Sequence, residues 1–291
     1  MSWRIVAISQ NAKLDYQLGY LVVRGQDTQK IHLSEISVLI IESTAVSLTA
    51  YLLNELAKEK VKVIFCDENR NPASEIIPYY GSHDTSAKIR KQLKWTNADK
   101  SAIWTEIVRD KIKKQAQLLQ KKGYEKSYLM LIQYSQDVEY GDATNREGHA
   151  AKVYFNTLFG NDFSRTDDSP LNAALNYGYS LLLALFNREI VSNGYLTQVG
   201  IFHDNMFNKY NLGSDLMEPF RPMVDSLVYA MNPVAFETEQ KHEMLELFNK
   251  MVLIKNRKEY LENAVRIYVK SVFDALNDHD VSLISFYEYE L

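Results

Sequence analysis

The spacing of apolar positions changes once along the chain. Up to about residue 80 they come in short β-branched runs. Residues 3–8, 19–24, 30–33 and 38–41 follow one another closely, with Asn11, Asp15, Gly19, Gly25 and Asp27 as turn residues between them. That is the pattern of successive strands. From 47 to 60 the period becomes helical. Leu48, Tyr51, Leu52, Leu53, Leu56 and Ala57 make one face, and Ser47 serves as N-cap. Residues 61–65 read as a further strand and 67–72 as a turn. Residues 76–80 read as a short edge strand, because Pro78 cannot donate to a ladder.

Beyond Thr85 the spacing is three and four. Ile103, Trp104, Ile107, Val108, Ile112, Ala116 and Leu119 form one stripe that stops at Gly123. Tyr128, Leu129, Leu131, Ile132 and Tyr134 form a second helix. A third begins near Asp142 or Ala143 and carries Glu147, Ala151, Tyr154, Phe155 and Leu158. Ser169-Pro170 is a cap and first-turn proline for a helix that ends at Asn193-Gly194. Residues 214–231, 237–253 and 259–276 complete the helical set. The predicted architecture is α+β. A small β-sandwich-like N-terminal domain with one helix spans residues 1–80, and a larger all-α domain spans 81–291.

Composition fits a globular protein: 291 residues, 46% hydrophobic and 24% charged. The single cysteine, Cys66, precludes an intramolecular disulfide, so a reducing cytoplasm is expected. The opening MSWRIVAISQ lacks the charged and apolar regions of a secretory leader, and no apolar run approaches bilayer length, so no membrane is expected.

The net charge of −4 argues against a nucleic-acid partner until its distribution is read. Between residues 86 and 126 lie twelve basic side chains: Lys88, Arg90, Lys91, Lys94, Lys100, Arg109, Lys111, Lys113, Lys114, Lys121, Lys122 and Lys126. Only Asp99, Glu106, Asp110 and Glu125 oppose them. The run is either the solvated face of an amphipathic helix or a phosphate-binding stripe. Trp95 and Trp104 lie inside it, and Trp104 fits the core stripe better than a base-stacking role.

Three short strings carry polar groups that folding alone does not demand. In Asn145-Arg-Glu-Gly-His149, Glu147 aligns with Ala151 and Phe155 on an inward face, where a carboxylate needs a partner. Alternatively Glu147 serves the helix dipole or Arg146. In Gly200-Ile-Phe-His203, the histidine follows two apolar residues and is either a ligand or a hydrogen-bonded core residue. In Asp215-Leu-Met-Glu-Pro-Phe-Arg-Pro222, Asp215 and Glu218 share a helical side with Asp225, and Arg221 offers Glu218 an ion pair. One imidazole with carboxylates suits Mg²⁺ or Mn²⁺ better than a closed zinc site. No HExxH, CxxC pair, Walker A or GxSxG pattern is present.

These strings, together with Leu171-Asn-Ala-Ala-Leu-Asn-Tyr-Gly-Tyr179 and the β-domain stretches 31–42, 46–48 and 63–67, resemble the Cas1 family of CRISPR spacer-acquisition integrases, most closely its type II form. The resemblance implies a metal triad of Glu147, His203 and Glu218. Asp215 is the competing choice for the third acid, because other branches carry an aspartate there. It implies a metal-dependent DNA endonuclease and integrase that inserts protospacer DNA by attack of a 3′-hydroxyl on a repeat phosphodiester. It also implies a homodimer formed through the β domain and a small second Cas protein as central dimer bridging two such dimers. Type II systems add an effector nuclease and a DNA-end-binding ring protein. Lys88, Arg90, Lys91, Lys111, Lys114, Arg146, His149 and Arg221 are the expected DNA contacts. The rival readings are a non-catalytic DNA-binding scaffold and a metal-dependent phosphohydrolase of small molecules.

Overall fold

In the computed structural model, residues 4–78 and 81–288 are described. The chain divides into two compact units, Met1–His83 and Asp84–Leu291. The expected boundary at residue 80 lies outside the described residues, as does Trp3.

Ile36–Ile41 is a run of six buried residues, too apolar to face water on either side, and it becomes a central strand of the first unit. The strands are β1 (Arg4–Ile8), β2 (Lys13–Gln17), β3 (Tyr20–Arg24), β4 (Thr28–His32), β5 (Ile36–Ile41), β6 (Ser47–Leu48), β7 (Lys62–Cys66) and β8 (Pro72–Glu75). One sheet has the order β1-β5-β7-β8, with β5 parallel to both neighbours and β8 antiparallel at the edge. The other has the order β4-β3-β2-β6. Leu14 and Leu21 from the second sheet share a core with Ile36 and Leu39 from the first. Leu52 and Leu56 of α1 (Ala50–Lys58) complete it.

Three sequence expectations shift here. Asp15 is not a turn residue. It sits inside β2, where Arg24 on β3 donates to it at 3.0 Å, and Leu14 is that strand's only fully buried position. Ser47 is not the cap of α1. It belongs to β6, and Thr49 Oγ1 accepts from Leu52 N at 3.2 Å. The edge strand is Pro72–Glu75 rather than 76–80, and residues 79–80 are not described.

The second unit is built on two long helices, α3 (Asn97–Lys121) and α6 (Pro170–Ser192). α2 (Thr85–Gln92) precedes α3, and Thr96 with Asp99 closes a capping box on α3. α4 (Glu125–Gln136) and α5 (Arg146–Phe159) pack against α3. They are followed by α7 (Asn211–Leu216), α8 (Arg221–Met231), α9 (Thr238–Met244) and α10 (Leu261–Asp278).

The expected helix 214–231 is broken. A 3-10 turn at Glu218–Phe220, with Pro219 at its start, separates α7 from α8. The all-α expectation also needs one addition. The predicted helix 237–253 ends early, and β9 (Met251–Ile254) pairs antiparallel with β10 (Arg257–Tyr260). Lys255 and Asn256 both have positive φ, at 50° and 59°, the geometry of a two-residue hairpin turn. Among the described residues, no helix is long and apolar enough to cross a membrane.

Candidate active site

Glu147 owes its position to the way α5 begins. Asp142 Oδ1 accepts from Arg146 N at 2.8 Å and its Oδ2 from Glu147 N at 3.1 Å. Asn145, the N-cap, sits in the left-handed region at φ 52° and accepts from Gly148 N at 3.2 Å. A Cβ at Gly148 would come 2.8 Å from the Asn145 amide, which accounts for a glycine inside the helix. The helix therefore starts at Arg146, later than the expected 142 or 143, because Asp142 and Asn145 are spent on capping it.

Glu147 and Glu218 meet at one cation. Lys111, midway along α3, places its Nζ 2.5 Å from Glu147 Oε1 and 2.5 Å from Glu218 Oε2. Arg221 Nε lies 3.0 Å from the other oxygen, Glu218 Oε1. The Glu218 side chain is 4% exposed. Burial opposes its charge, yet Arg221 and Lys111 together hold its carboxyl below the ordinary value. The same balance acts on Lys111, where burial is overcome by Glu218 and Glu147 and the ammonium is held charged.

His203 stands on the loop between α6 and α7. Its Nδ1 is 2.5 Å from Asp215 Oδ1. Asp215 also accepts from three backbone groups: Ile201 N at 2.6 Å, Phe202 N at 3.0 Å and His203 N at 3.1 Å. A Cβ at Gly200 would run into the His203 carbonyl and come 2.8 Å from Asp215 Oδ2, so this loop closes only with glycine there. Phe202 stacks flat on Trp104, with centroids 4.4 Å apart, and the His203 ring meets Trp104 edge-on at 5.8 Å. The hydrogen bond to Asp215, with the charges of Glu218 and Glu147, raises the imidazole pKa against the opposing effect of burial.

The two acids offered by the sequence stand in different surroundings. Asp215 is fully buried and committed to the 201–203 loop, whereas Glu218 faces Lys111 and Glu147. Asp225 does not join them. It accepts from Tyr154 at 2.8 Å and from Tyr179, and burial pushes its carboxyl up to about 6.

The expected DNA contacts divide. Lys111 and Lys114 are buried and, as their side chains stand, form no part of an outer phosphate stripe; Lys114 donates to Asp110 at 3.0 Å and lies over the Tyr287 ring. Both belong to the α3 core stripe, four residues on from Ile107 and from Asp110 respectively. Trp104 is likewise core, at 1% exposure. Arg221 is spent on Glu218 and packs over Tyr179. Arg146 lies over the Tyr134 ring. Lys88 faces Asp84 at 3.9 Å. Arg90, Lys91 and His149 are exposed. Sequence reasoning missed Lys111 as part of the site, although a lysine three residues after Val108 and four after Ile107 falls on the buried face. It also missed Asp142 as the anchor of Glu147.

Among the described residues, no three His, Cys, Asp or Glu side chains stand close enough to hold one ion as they are. The donor set nevertheless fits a divalent ion. Two carboxylates converge on a cation, Glu218 Oε2 is buried with the Lys111 ammonium against it, and His203 keeps Nε2 for a ligand while Nδ1 is fixed.

The family model described as CRISPR associated protein Cas1 matches residues 5–243. The CRISPR-associated endonuclease Cas1 of Neisseria meningitidis serogroup C is 35% identical over 229 residues, which is 78% of this chain and 75% of that one. Among solved structures, a casposase bound to integration product is similar with TM-score 0.77 and 19% identity, over 97% of this chain and 93% of that one. A Cas6-RT-Cas1–Cas2 complex is similar with TM-score 0.76 and 18% identity. That match covers 99% of this chain, which spans 36% of the other. At these identities the structures attest the fold.

Proposed function

This chain belongs to the Cas1 family of CRISPR-associated proteins, and we propose that it is a divalent-metal-dependent DNA endonuclease and integrase of CRISPR adaptation. The observation that carries this reading is the convergence of Glu147 and Glu218 on a single cation, beside a histidine whose ring is fixed by a buried aspartate. The endonuclease name of the Neisseria relative and the integration product held by the similar casposase support it.

Glu147, Glu218 and Nε2 of His203 are the groups that would hold Mg²⁺ or Mn²⁺. Such an ion, when bound, supplies Lewis acidity at a phosphoryl oxygen and eases deprotonation of the attacking hydroxyl. The protein's own part is placement. Asp142 and Asn145 aim Glu147, Arg221 steadies Glu218, and Asp215 fixes the imidazole tautomer. In the joining step, the 3′-oxygen of a short duplex forms a P–O bond at a repeat phosphodiester while the repeat's own P–O bond breaks and leaves a hydroxyl. One ester replaces another, so no nucleotide cofactor is needed. Holding two DNAs in register then weighs as much as the metal. The exposed Arg90, Lys91 and His149 are the proposed backbone contacts.

The proposed assembly is a homodimer through the N-terminal unit, with a small second Cas protein as central dimer between two such dimers. The effector nuclease and a DNA-end-binding ring protein are further partners of this cytoplasmic reaction. The presence of Cas2 in the similar Cas6-RT-Cas1–Cas2 complex supports the small partner.

Purified protein, its small partner, a short duplex and a repeat-bearing plasmid test the reading. A joined product is expected with Mn²⁺ or Mg²⁺ and not with EDTA. Absence of any metal-dependent product would return the chain to the scaffold reading. Turnover of small phosphoesters, with duplex affinity indifferent to salt, would favour the phosphohydrolase.

A further inference from the structure

Lys111 is a buried lysine that sequence patterning assigns to DNA and the fold assigns to the acids. Its side chain is 10% exposed, and its ammonium contacts both carboxylates of the proposed metal site. Burying an ammonium is costly unless charged partners repay it, and here two do. The backbone beneath it cannot drift, because Trp104, Ile107, Val108 and Ile112 fix α3 in the core. The neighbouring Lys114 is engaged elsewhere, with Asp110 and Tyr287, and cannot substitute.

Formal charges make the arrangement specific. Glu147 and Glu218 are balanced by Lys111 and Arg221, so this quartet is neutral with no ion present. A divalent ion held by Glu147 and Glu218 would have to displace the ammonium that now contacts both. Lysine carries its charge on a four-carbon stem, so the ammonium can swing while its Cα stays still. The way out is on the Glu147 and His203 side, whose side chains are 21% and 40% exposed, against 4% for Glu218.

We propose that Lys111 is a built-in counter-ion that competes with the divalent metal for Glu147 and Glu218. Once displaced, it remains tethered at the mouth of the site as a cation for the DNA phosphate. The inference rests on the metal-site reading above. It makes the ion-free site self-neutralised and its metal affinity weaker than the ligand set alone would give. With the ion bound and the ammonium retained nearby, the quartet carries two excess positive charges, which suits the anionic phosphorus centre of a strand exchange.

Titration of Mn²⁺, followed by the loss of the free-ion electron paramagnetic resonance signal, tests this on folded protein without any turnover. Lys111→Met and Lys111→Gln are expected to bind Mn²⁺ about tenfold or more tightly than the unaltered chain, because the competing cation is gone. Lys111→Arg, which keeps the charge, is expected to show no such gain. Glu147→Gln is the control for the site itself. If the unaltered chain binds Mn²⁺, Glu147→Gln loses it, and neither Lys111→Met nor Lys111→Gln binds more tightly, the competition is refuted while the metal site stands. If no form binds Mn²⁺ at all, the metal site and the inference fall together.

A second measurement needs no substitution and so does not depend on a variant folding. Amine acylation of the unaltered protein, read by mass spectrometry, is expected to label Lys111 faster with Mg²⁺ than with EDTA and to leave Lys114 unchanged. Equal labelling of Lys111 in both conditions overturns the proposal.

Discussion

Asp215 is bonded entirely within the loop that carries His203. Three backbone N–H groups and the His203 ring use both its oxygens, and the proposed site therefore gives it the task of holding the imidazole. Replacing Asp215 by Asn exchanges a two-oxygen acceptor for one oxygen and an amide. Strand joining by Asp215→Asn should fall by about 10- to 100-fold, the usual loss when the partner of a ligating histidine is removed, with the helical circular dichroism signal retained. Unchanged joining would count against the role. Asp225 tests a different property. Its folded pKa of about 6 lies above the roughly 4 of an unfolded aspartate, so the folded state binds the extra proton between those values. Stability should therefore fall as pH rises from about 4 to about 6 and level off above that, by about 3 kcal/mol in all. Urea unfolding at a series of pH values reads the slope. Asp225→Asn should flatten that part of the profile, and an identical slope in the variant would refute the assignment.

At the level of elements, the start of α5 carries the most consequence. Asp142 and Asn145 both adopt positive φ, at 55° and 52°, and this strain is accepted to cap the turn that presents Glu147. Asn145→Ala removes a cap and leaves an alanine in the left-handed region, so a cost of about 1–3 kcal/mol is expected. Thermal unfolding should show it as a lowered Tm, and joining activity should fall with it; an unshifted Tm would mean that the cap does not matter. The long helices were readable from sequence because their periodicity and their caps agree: Ser169-Pro170 opens α6 and Asn193-Gly194 closes it. Two other segments were not. β2 buries only Leu14 fully, so its apolar signal is too thin to mark a strand. The hairpin at 251–260 is hidden because Met251-Val-Leu-Ile254 continues the apolar content of the segment before it, and the turn is made by Lys255 and Asn256 rather than by glycine. Of the groups proposed for the site, Glu147, His203 and Glu218 stand in motifs that the sequence displays. Lys111 was not, since a lysine in a basic run reads as surface until the packing of α3 is known.

Across the whole chain, the formal charge of −4 combines an excess of eight basic side chains between residues 86 and 126 with an excess of twelve acids elsewhere. The structure divides that basic window again. Lys111 and Lys114 neutralise buried carboxylates, whereas Arg90, Lys91 and Lys94 stand exposed on and just after α2. Reversing Arg90, Lys91 and Lys94 to Glu should weaken duplex binding for every sequence alike. It should also flatten the dependence of log affinity on log salt by about 0.9 for each phosphate that is no longer neutralised. An unaltered salt slope would move the DNA surface elsewhere. Glu147, His203 and Glu218 are proposed to act together as one site for phosphodiester exchange. The most direct measurement is joining of a short duplex to repeat DNA by Glu147→Gln, His203→Ala and Glu218→Gln, run beside duplex binding by the same proteins. Each substitution is expected to abolish the joined product while duplex affinity stays within about twofold of the unaltered chain, since most of the proposed phosphate contacts lie outside this site. Full joining by all three variants would contradict it.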